Sequence, residues 1–367
     1  MHRQWTELFA AYRAKYPELA TEIDLMQRRE LPQGWDKGLP VFPADPKGIA
    51  GRDVSGQVLN LLAQNIPWLL GGSADLGPSN KTLLTFPGAG DFEPGDRAGR
   101  NLHFGIREHA MAAAVNGLAL SKLRAFGATF FIFSDYARPA IRLSALMELP
   151  TIFIFTHDAM GDGEDGPTHQ PVEQLASFRA VPGLVVLRPC DANEVVEAYR
   201  YIMQLRHQPA LLALSRQPLP TLDRSKYAPA SGLARGAYVL ADPSGGKPEL
   251  ILIASGSEVS LCVKAHEELL AEGIRSRVVS MPSWDIFEHQ SEAYQDSVLL
   301  PEVTARIAVE QGSTFGWERY VGRKTGRIIG MKTFGASAPL KELLRKFRFE
   351  PVRVTEVAKE LLGKATS

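Results

Sequence analysis

Four short runs of apolar residues place the narrowest limits on how this chain can fold. They are ATFFIF (128–133), TIFIF (151–155), GLVVL (183–187) and PALLAL (209–214). A strand with one buried face alternates apolar and polar residues, whereas a strand covered on both faces is apolar almost throughout. Helical patterns separate the runs, such as EVVEAYRYIMQL (194–205), which the capping pair Asp191 and Glu194 begins. The sequence therefore predicts a mostly parallel sheet flanked by helices.

The same alternation of strands and helices resumes after the polar segment DRSKYAPASGLARG (223–236). Because a chain of 367 residues has room for about two domains of roughly 150 residues, we predict two successive α/β domains, each with a mostly parallel sheet. The predicted bounds are 1–48 for an N-terminal helix and linker, 49–220 for the first domain and 236–367 for the second. The N-terminal helix is predicted from apolar residues at helical spacing, namely Trp5, Leu8, Phe9 and Tyr12.

Charge and cysteine content exclude several classes of protein. Lys+Arg and Asp+Glu both number 41, so the chain lacks the cationic surplus that nucleic-acid and anionic-membrane binders need. The two cysteines, Cys190 and Cys262, form neither a disulfide framework nor a zinc-ligand pattern. The first residues do not resemble a signal peptide, and no apolar stretch approaches the roughly 20 residues of a membrane helix. These features predict a cytoplasmic protein without nucleic-acid or membrane partners.

Conspicuous polar residues follow the predicted strands. Asp75 comes after WLLGGSA, His157 after TIFIFT and Arg216 after LLALS. In parallel sheets, ligands bind beyond the carboxyl ends of the strands. The loop GDGEDGPTHQPVEQ (161–174) also follows such a strand and is rich in acids and glycine. We therefore expect this loop to form one wall of a binding cleft.

Glu108 and the Phe-rich run supply the residues from which a ring-binding site is predicted. Glu108 lies near the start of a predicted helix, where the helix dipole also favours an ordinary solvated acid. Phe130 and Phe133 are suited to enclosing a flat ring, although such phenylalanines are more often part of a core. His103, in the preceding loop, has no role assigned from the sequence.

Eight segments in this order resemble the transketolase family: GGSADLGPSN, FGIREHAM, ATFFIFSDYAR, THDAMGDGEDGPTHQPVEQ, RPCD, LSRQ, IASGSEV and VSMPS. The run GDGEDGPTHQPVE (161–173) is highly specific, and the resemblance extends over essentially the whole chain. It implies a thiamine-diphosphate-binding fold, specifically the pyrimidine-binding domain, followed by a transketolase C-terminal domain. The implied reaction is the transfer of a two-carbon ketol unit between sugar phosphates with thiamine diphosphate.

The resemblance also implies roles for individual residues. Glu108 would bind the ring nitrogen of the aminopyrimidine and share a proton with it, and Asp75 would lie near the thiazolium. Phe130, Phe133 and Tyr136 would surround the pyrimidine. Two sets would bind the sugar phosphate. The phosphate would be anchored by Arg52, Ser79, His157 and Arg216, and the hydroxyl and carbonyl oxygens would be contacted by Asp165 and His169. Glu108 and His169 are the implied catalytic residues.

The part of the family that holds the cofactor's diphosphate has no counterpart here. Two phosphate groups need a divalent cation, which the family binds with a GDG motif and a later Asn pair in a separate domain. Gly161, Asp162 and Gly163 spell GDG, but they lie inside the substrate loop and no Asn pair follows. We therefore expect no metal ligands in this chain and assign Mg²⁺ or Ca²⁺ to the missing domain. The chain is then either a subunit of a split enzyme, completed by a separate diphosphate-binding subunit, or a shortened form of a longer one.

Two further expectations and two alternatives complete the interpretation. The small-residue helix AMAAAVNGLAL (110–120) favours a homodimer through both domains. Ser257, after IASG, is expected to cap a helix or bind an anion. A related enzyme such as dihydroxyacetone synthase or deoxyxylulose phosphate synthase is the nearer alternative. The other is a catalytically silent scaffold, in which Glu108 and its aromatic neighbours would be idle.

Overall fold

Two successive α/β domains make up the computed structural model of the chain, which describes residues 2–365. The predicted fold class is confirmed. Within the described residues, every helix falls short of the length and apolar character needed to cross a lipid bilayer.

The N-terminal segment is a pair of helices where the sequence predicted one. They are α1 (His2–Lys15) and α2 (Pro17–Arg28). Pro17 separates them because the residue before a proline is disfavoured in helical conformation. No side chain of α1 is buried, and its aromatic rings stack on each other, with Trp5 and Phe9 5.2 Å apart.

The first domain contains eight strands and six helices. The strands are β1 (Asp45–Ala50), β2 (Leu69–Ser73), β3 (Asn101–His103), β4 (Arg124–Phe130), β5 (Ile152–Thr156), β6 (Val185–Leu187), β7 (Ala210–Leu214) and β8 (Pro218–Thr221). The helices are α3 (Gly51–Asn65), α4 (Gly77–Asn80), α5 (Glu108–Leu120), α6 (Ser134–Leu146), α7 (Gln174–Arg179) and α8 (Ala192–Gln204). Six strands form a parallel sheet in the order β3-β2-β4-β5-β7-β6, and β1 pairs with β8 in an antiparallel ribbon. The predicted linker up to residue 48 therefore contains the start of a strand.

Both faces of the parallel sheet are buried, as the apolar runs predicted. Ile152 and Ile154 of β5 belong to one core, and Phe153 and Phe155 belong to another on the opposite face. The ATFFIF run, however, is not one strand. β4 ends at Phe130, and residues 131–133 form a 3₁₀ turn.

The second domain contains five strands and six helices. The strands are β9 (Tyr238–Ala241), β10 (Leu250–Ala254), β11 (Ser276–Ser280), β12 (Arg306–Ser313) and β13 (Arg327–Met331). The helices are α9 (Val259–Ala271), α10 (Trp284–Glu288), α11 (Glu292–Val298), α12 (Glu318–Val321), α13 (Leu340–Lys346) and α14 (Pro351–Leu361). The sheet order is β13-β12-β10-β11-β9, and β9 is antiparallel to its neighbour. The sheet is thus mostly parallel, as predicted.

A buried group of charged residues joins the two domains. We call it the interdomain ion cluster, and its members are Asp158, Arg179, Arg188, Glu258 and Glu310. Arg188 Nε donates to Asp158 at 2.7 Å, and its Nη1 bonds Glu258. Arg179 donates two 2.8 Å hydrogen bonds to Glu310. Burial by itself lowers the pKa of Arg188, but the surrounding carboxylates, chiefly that of Glu258, outweigh burial and raise it.

Ser257 bonds two members of this cluster and is not the helix cap that the sequence predicted. The residue that precedes α9 is Glu258, and the Ser257 hydroxyl donates to the Glu258 carboxylate. Arg188 Nη2 donates to the same hydroxyl at 3.3 Å. The residue is therefore a partner of buried charges at the domain junction.

Candidate active site

The carboxyl ends of β2, β5 and β7 converge with the start of α3. The N–H of Gly51 donates to Ser215 Oγ at 2.9 Å, and the N–H of Arg52 donates to the Ser215 carbonyl at 3.3 Å. Because Ser215 directly precedes Arg216, these bonds hold the two guanidinium-bearing residues at one edge of the sheet.

Four of the residues predicted from the sequence surround this edge. We call them the basic pocket: Arg52, Ser79, His157 and Arg216. Arg52 Nη1 donates to the carbonyl and the hydroxyl of Ser79, at 3.2 and 3.4 Å. Burial, followed by the charges of Arg52 and Arg216, lowers the pKa of His157 to about 3. The structure thus brings the four residues together and keeps His157 neutral.

Two residues at the strand ends have a left-handed backbone. The φ angles are 64° at Asp75 and 63° at His157. Such conformations cost energy in residues other than glycine and concentrate at functional sites. His157 is buried against Phe130, with ring centroids 3.7 Å apart, whereas the side chain of Asp75 is exposed.

A hydrogen-bond chain fixes which nitrogen of His157 carries the proton. Ser73 Oγ donates to the Ala128 carbonyl at 2.8 Å, so it accepts from Asn80 Nδ2 at 2.6 Å. Asn80 Oδ1 then accepts from Thr156 Oγ1 at 2.7 Å. Since Thr156 has used its proton, it accepts from His157 Nδ1, 2.7 Å away. The Nε2 atom of neutral His157 is therefore left as an acceptor.

Aromatic side chains line the space next to the basic pocket. The rings of Phe130 and Phe133 are 5.9 Å apart and 15° from parallel, and Tyr136 stacks on Phe133 at 6.2 Å. His169 lies edge-on to Phe133 at 5.5 Å. We call these four residues the aromatic niche. Tyr136, at its rim, is 66% exposed. The 3₁₀ turn after β4 leaves Phe130 and Phe133 half-buried while Phe131 enters the core.

Glu108 is the first residue of α5 and is 7% exposed. Its Oε1 atom lies 3.5 Å from the hydroxyl of Thr129, the residue before Phe130. The carboxylate is therefore turned inward, unlike an ordinary solvated acid in a first helical turn. Among the described residues, only the Thr129 hydroxyl bonds this carboxylate.

The second domain supports the loop of residues 161–174. Gln170 Nε2 donates to the carbonyls of Gly163 and Ala336, both at 3.0 Å, and the N–H of Ala336 donates back to Gln170 Oε1 at 3.1 Å. A Cβ at Gly335 would lie 1.8 Å from that oxygen, so any other residue there would displace the Gln170 amide. Asp165 lies exposed in the loop, and His169 follows it beside the niche.

Sequence reasoning missed three kinds of residue. Asn80 and Thr156 orient His157, and Gln170 ties the loop to the second domain. Asp162 was set aside as part of a misleading GDG, yet it is buried beside the basic pocket. A polar residue directly after an apolar strand was the one available signal, and it applies to Thr156.

His103 lies outside the basic pocket. His103 is exposed at the end of β3, and its Nε2 lies 3.0 Å from Asp91. Within residues 2–365, no group of three or more His, Cys, Asp or Glu side chains is placed to hold a metal ion.

Comparison with protein families gives two matches. Residues 47–221 match the family described as transketolase, pyrimidine binding domain, and residues 236–350 match the transketolase-like TK C-terminal domain. A curated transketolase from Halalkalibacterium halodurans is 53% identical over 359 residues, which are 98% of this chain and 53% of that protein. The chain thus spans about half the length of the curated relatives it matches first.

Two solved structures extend the comparison. A crystal structure of transketolase from Pichia stipitis, in complex with sedoheptulose 7-phosphate, matches with a TM-score of 0.90 and 43% identity. The match covers 99% of this chain and 53% of that one. A split-gene transketolase, described as an inactive beta4 tetramer, matches with a TM-score of 0.69 and 25% identity. Here the match covers 86% of this chain and 99% of the other.

Proposed function

The chain belongs to the transketolase family, and on that premise we propose that it forms the pyrimidine-binding half of a ketol transferase. The enzyme would move a two-carbon unit between sugar phosphates with thiamine diphosphate. The observation that carries the proposal is the inward carboxylate of Glu108, which lies against Thr129, the residue before Phe130 of the aromatic niche. This arrangement fits an aminopyrimidine, which presents a flat apolar face and a ring nitrogen at its edge.

Bound thiamine diphosphate would supply the carbon nucleophile that carries the two-carbon unit. The chain's own residues have simpler tasks. Phe130 and Phe133 hold the pyrimidine by stacking and exclude water, and Tyr136 covers its rim. Glu108 would hydrogen-bond the ring nitrogen of the pyrimidine and share a proton with it. Asp75 contributes negative charge near the cationic thiazolium.

The basic pocket would bind the phosphate end of the sugar. A guanidinium presents donors in a planar fork that suits phosphate oxygens, and Arg52 and Arg216 provide two such groups. Asp165 and His169, in the loop beside the niche, would contact the hydroxyl and carbonyl oxygens at the other end. The basic part of the site thus suits the charged end of a sugar phosphate, and the aromatic part suits the pyrimidine of the cofactor.

Replacing Arg216 by Ala tests the phosphate role. A hydrogen bond to a charged group contributes about 1.5–3 kcal/mol, so we expect KM for xylulose 5-phosphate to rise by about one to two orders of magnitude. The exposed Arg323 in the second domain offers a matched control, Arg323→Ala. Steady-state kinetics should show a much smaller change for a ketol donor without phosphate. An equal loss for both donors would contradict the assignment.

The diphosphate end of the cofactor and its Mg²⁺ or Ca²⁺ need residues beyond those described here. We propose that a diphosphate-binding domain supplies them, on a separate chain or on a longer form of this one. The likeness to a split-gene transketolase over nearly all of that chain supports the separate-chain form.

Reconstitution tests this account. The chain is mixed with thiamine diphosphate, Mg²⁺ and a separately produced transketolase diphosphate-binding domain, and ketol transfer from xylulose 5-phosphate is measured. We expect activity to depend on the added domain. Full activity of the chain alone would contradict the proposal. A demonstrably bound domain that leaves the mixture inactive would favour the alternative, a catalytically silent scaffold.

We also propose that the chain forms a homodimer through the outer face of α5. That face carries exposed small residues one turn apart: Ala110, Ala113, Ala114 and Gly117. Exposed apolar side chains of the neighbouring helix α6 extend it, including Leu143 and Leu146 at 46% and 68% exposure. Small residues allow two helices to approach closely, and the adjoining leucines supply apolar area to bury.

A bulky charge on that face should separate the dimer. Light scattering of purified protein is expected to show a dimer for the unaltered chain and a monomer for Ala114→Arg. The matched control is Ala271→Arg, at an exposed alanine of α9 in the second domain. A stable monomer before any substitution, or a dimer that survives Ala114→Arg, would exclude this interface.

A further inference from the structure

Asp162 is a buried acid that the proposed function does not use. It is 1% exposed, and neither of its carboxylate oxygens has a hydrogen-bond partner within the described residues. Its Oδ1 atom lies 3.5 Å from Nε2 of His157 and 4.0 Å from Nε of Arg216. The residue therefore lies at the back of the basic pocket, against two of its four members.

The surroundings favour the protonated form of this acid. A buried carboxylate that accepts no hydrogen bond is costly, whereas a neutral carboxyl group needs only one acceptor for its O–H. His157 Nε2 is that acceptor, because the Ser73–Asn80–Thr156 chain assigns the imidazole proton to Nδ1. At 3.5 Å, an acid O–H can face this ring-nitrogen lone pair without any net charge on either group.

The charged groups around Asp162 act on its pKa in both directions. Burial raises the pKa of Asp162 to about 8, helped by Asp165 and Asp158 and opposed by Arg216 and Arg52. Helix α13, which packs against this segment, carries four charged residues, all of them exposed: Lys341, Glu342, Arg345 and Lys346. The two guanidinium groups are thus outweighed by burial and by the acids of the same loop.

We propose that Asp162 is a further specificity-determining residue of the basic pocket, acting as a neutral hydrogen-bond donor that leaves the positive charge of Arg52 and Arg216 available to a phosphate group. Its O–H also covers the His157 lone pair, which would otherwise face phosphate oxygens. Loss of the proton places a carboxylate beside the phosphate and cancels part of the attraction. This inference rests on the proposed phosphate role of the pocket.

The protonation state can be measured directly on the full chain. Carbon-13 NMR of protein labelled at Asp carboxyl groups, followed from pH 4 to 10, should show one resonance that titrates near pH 8 and is missing in Asp162→Asn. The control is Glu164→Gln, at an exposed acid of the same loop, which should leave that resonance in place. An Asp162 resonance that titrates below about pH 5 would overturn the inference.

The effect on binding is measured by calorimetry with ribose 5-phosphate as probe, between pH 7 and 9.5, where the phosphate is already a dianion. We expect the affinity of the unaltered chain to fall above the midpoint by at most tenfold per pH unit, the steepest slope that loss of one proton allows. Asp162→Asn, which keeps a donor but cannot ionise, should bind equally well at every pH. The same fall in Asp162→Asn as in the unaltered chain would overturn the inference.

A third variant separates this inference from the proposed function. Arg216→Ala should greatly weaken ribose 5-phosphate binding at pH 7 if the basic pocket holds the phosphate. If it does so while the unaltered chain binds equally at all pH values, the Asp162 role alone is wrong. If ribose 5-phosphate binds Arg216→Ala as well as the unaltered chain, or does not bind the unaltered chain at all, the proposed phosphate role of the pocket is wrong. The role of Asp162, which depends on it, is then wrong as well.

Discussion

Replacing Glu108 by Gln is expected to lower ketol transfer by the reconstituted enzyme by about 10²–10⁴-fold, the range over which a positioned acid or base contributes. Gln has nearly the same shape as Glu and fits in the same place beside Thr129. It cannot hold an exchangeable acidic proton at the ring nitrogen of the pyrimidine. The loss should therefore appear in kcat, whereas the fold of the chain, followed by circular dichroism, should be unchanged.

A matched glutamate provides the control for this prediction. Glu292 is the first residue of α11, as Glu108 is of α5, but it is exposed in the second domain. Glu292→Gln should leave activity within about twofold, since surface substitutions seldom disturb a distant site. Should Glu108→Gln retain most of the activity, the thiamine-based proposal for this polypeptide would fail, because the reaction would then not depend on an acid at the ring nitrogen of the pyrimidine.

Replacing Arg188 by Met is expected to lower the free energy of unfolding by about 3–5 kcal/mol, the usual cost of removing one partner from a buried ion pair. Arg188 is fully buried and neutralises Asp158 from the first domain and Glu258 from the second. Met fills much of the same space but leaves both carboxylates without a cation. Chemical denaturation, followed by fluorescence, measures the difference.

Two comparisons separate loss of charge pairing from loss of packing. Arg200 is a partly exposed arginine paired with Asp36, and Arg200→Met should cost no more than about 1 kcal/mol, as exposed pairs do. The triple variant Arg188→Met with Asp158→Asn and Glu258→Gln should recover a large part of the lost stability, because no buried charge is then unpaired. A loss in Arg188→Met as small as in Arg200→Met would show that the cluster contributes little.

The parts of the fold that follow from local pattern were predictable from the sequence. Apolar runs require helices on both faces of the sheet, and β4, β5, β6 and β7 lie where those runs are. The run ATFFIF also showed the limit of this reasoning. Its four final residues are all apolar, so periodicity cannot distinguish the last residue of β4 from the turn that follows. The pairing of β1 with β8 joins segments over 160 residues apart and leaves no local signal.

The residues of the candidate site were likewise predictable only in part. Residues directly after strands, such as His157 and Arg216, were predictable because parallel strands end at one edge of the sheet. The burial of Asp162 was not predictable, since a glycine-rich acidic loop has the composition of an exposed one. That burial depends on packing against the second domain. The hydrogen bond between Asn80 and Thr156 joins residues 76 positions apart, so no local spacing in the sequence predicts it.

The tie between Gln170 and Ala336 has a consequence for exchanging parts between relatives. Ser337 Oγ of the second domain donates to the Glu164 carbonyl, and the tie to Gln170 uses main-chain atoms of Ala336 and the absent side chain of Gly335. A hybrid protein with a foreign second domain should keep the loop in place when the donor has glycine at this point and the same chain path. A hybrid that departs from either should hold the loop 161–174 less firmly, although the sequence of its first domain is unchanged.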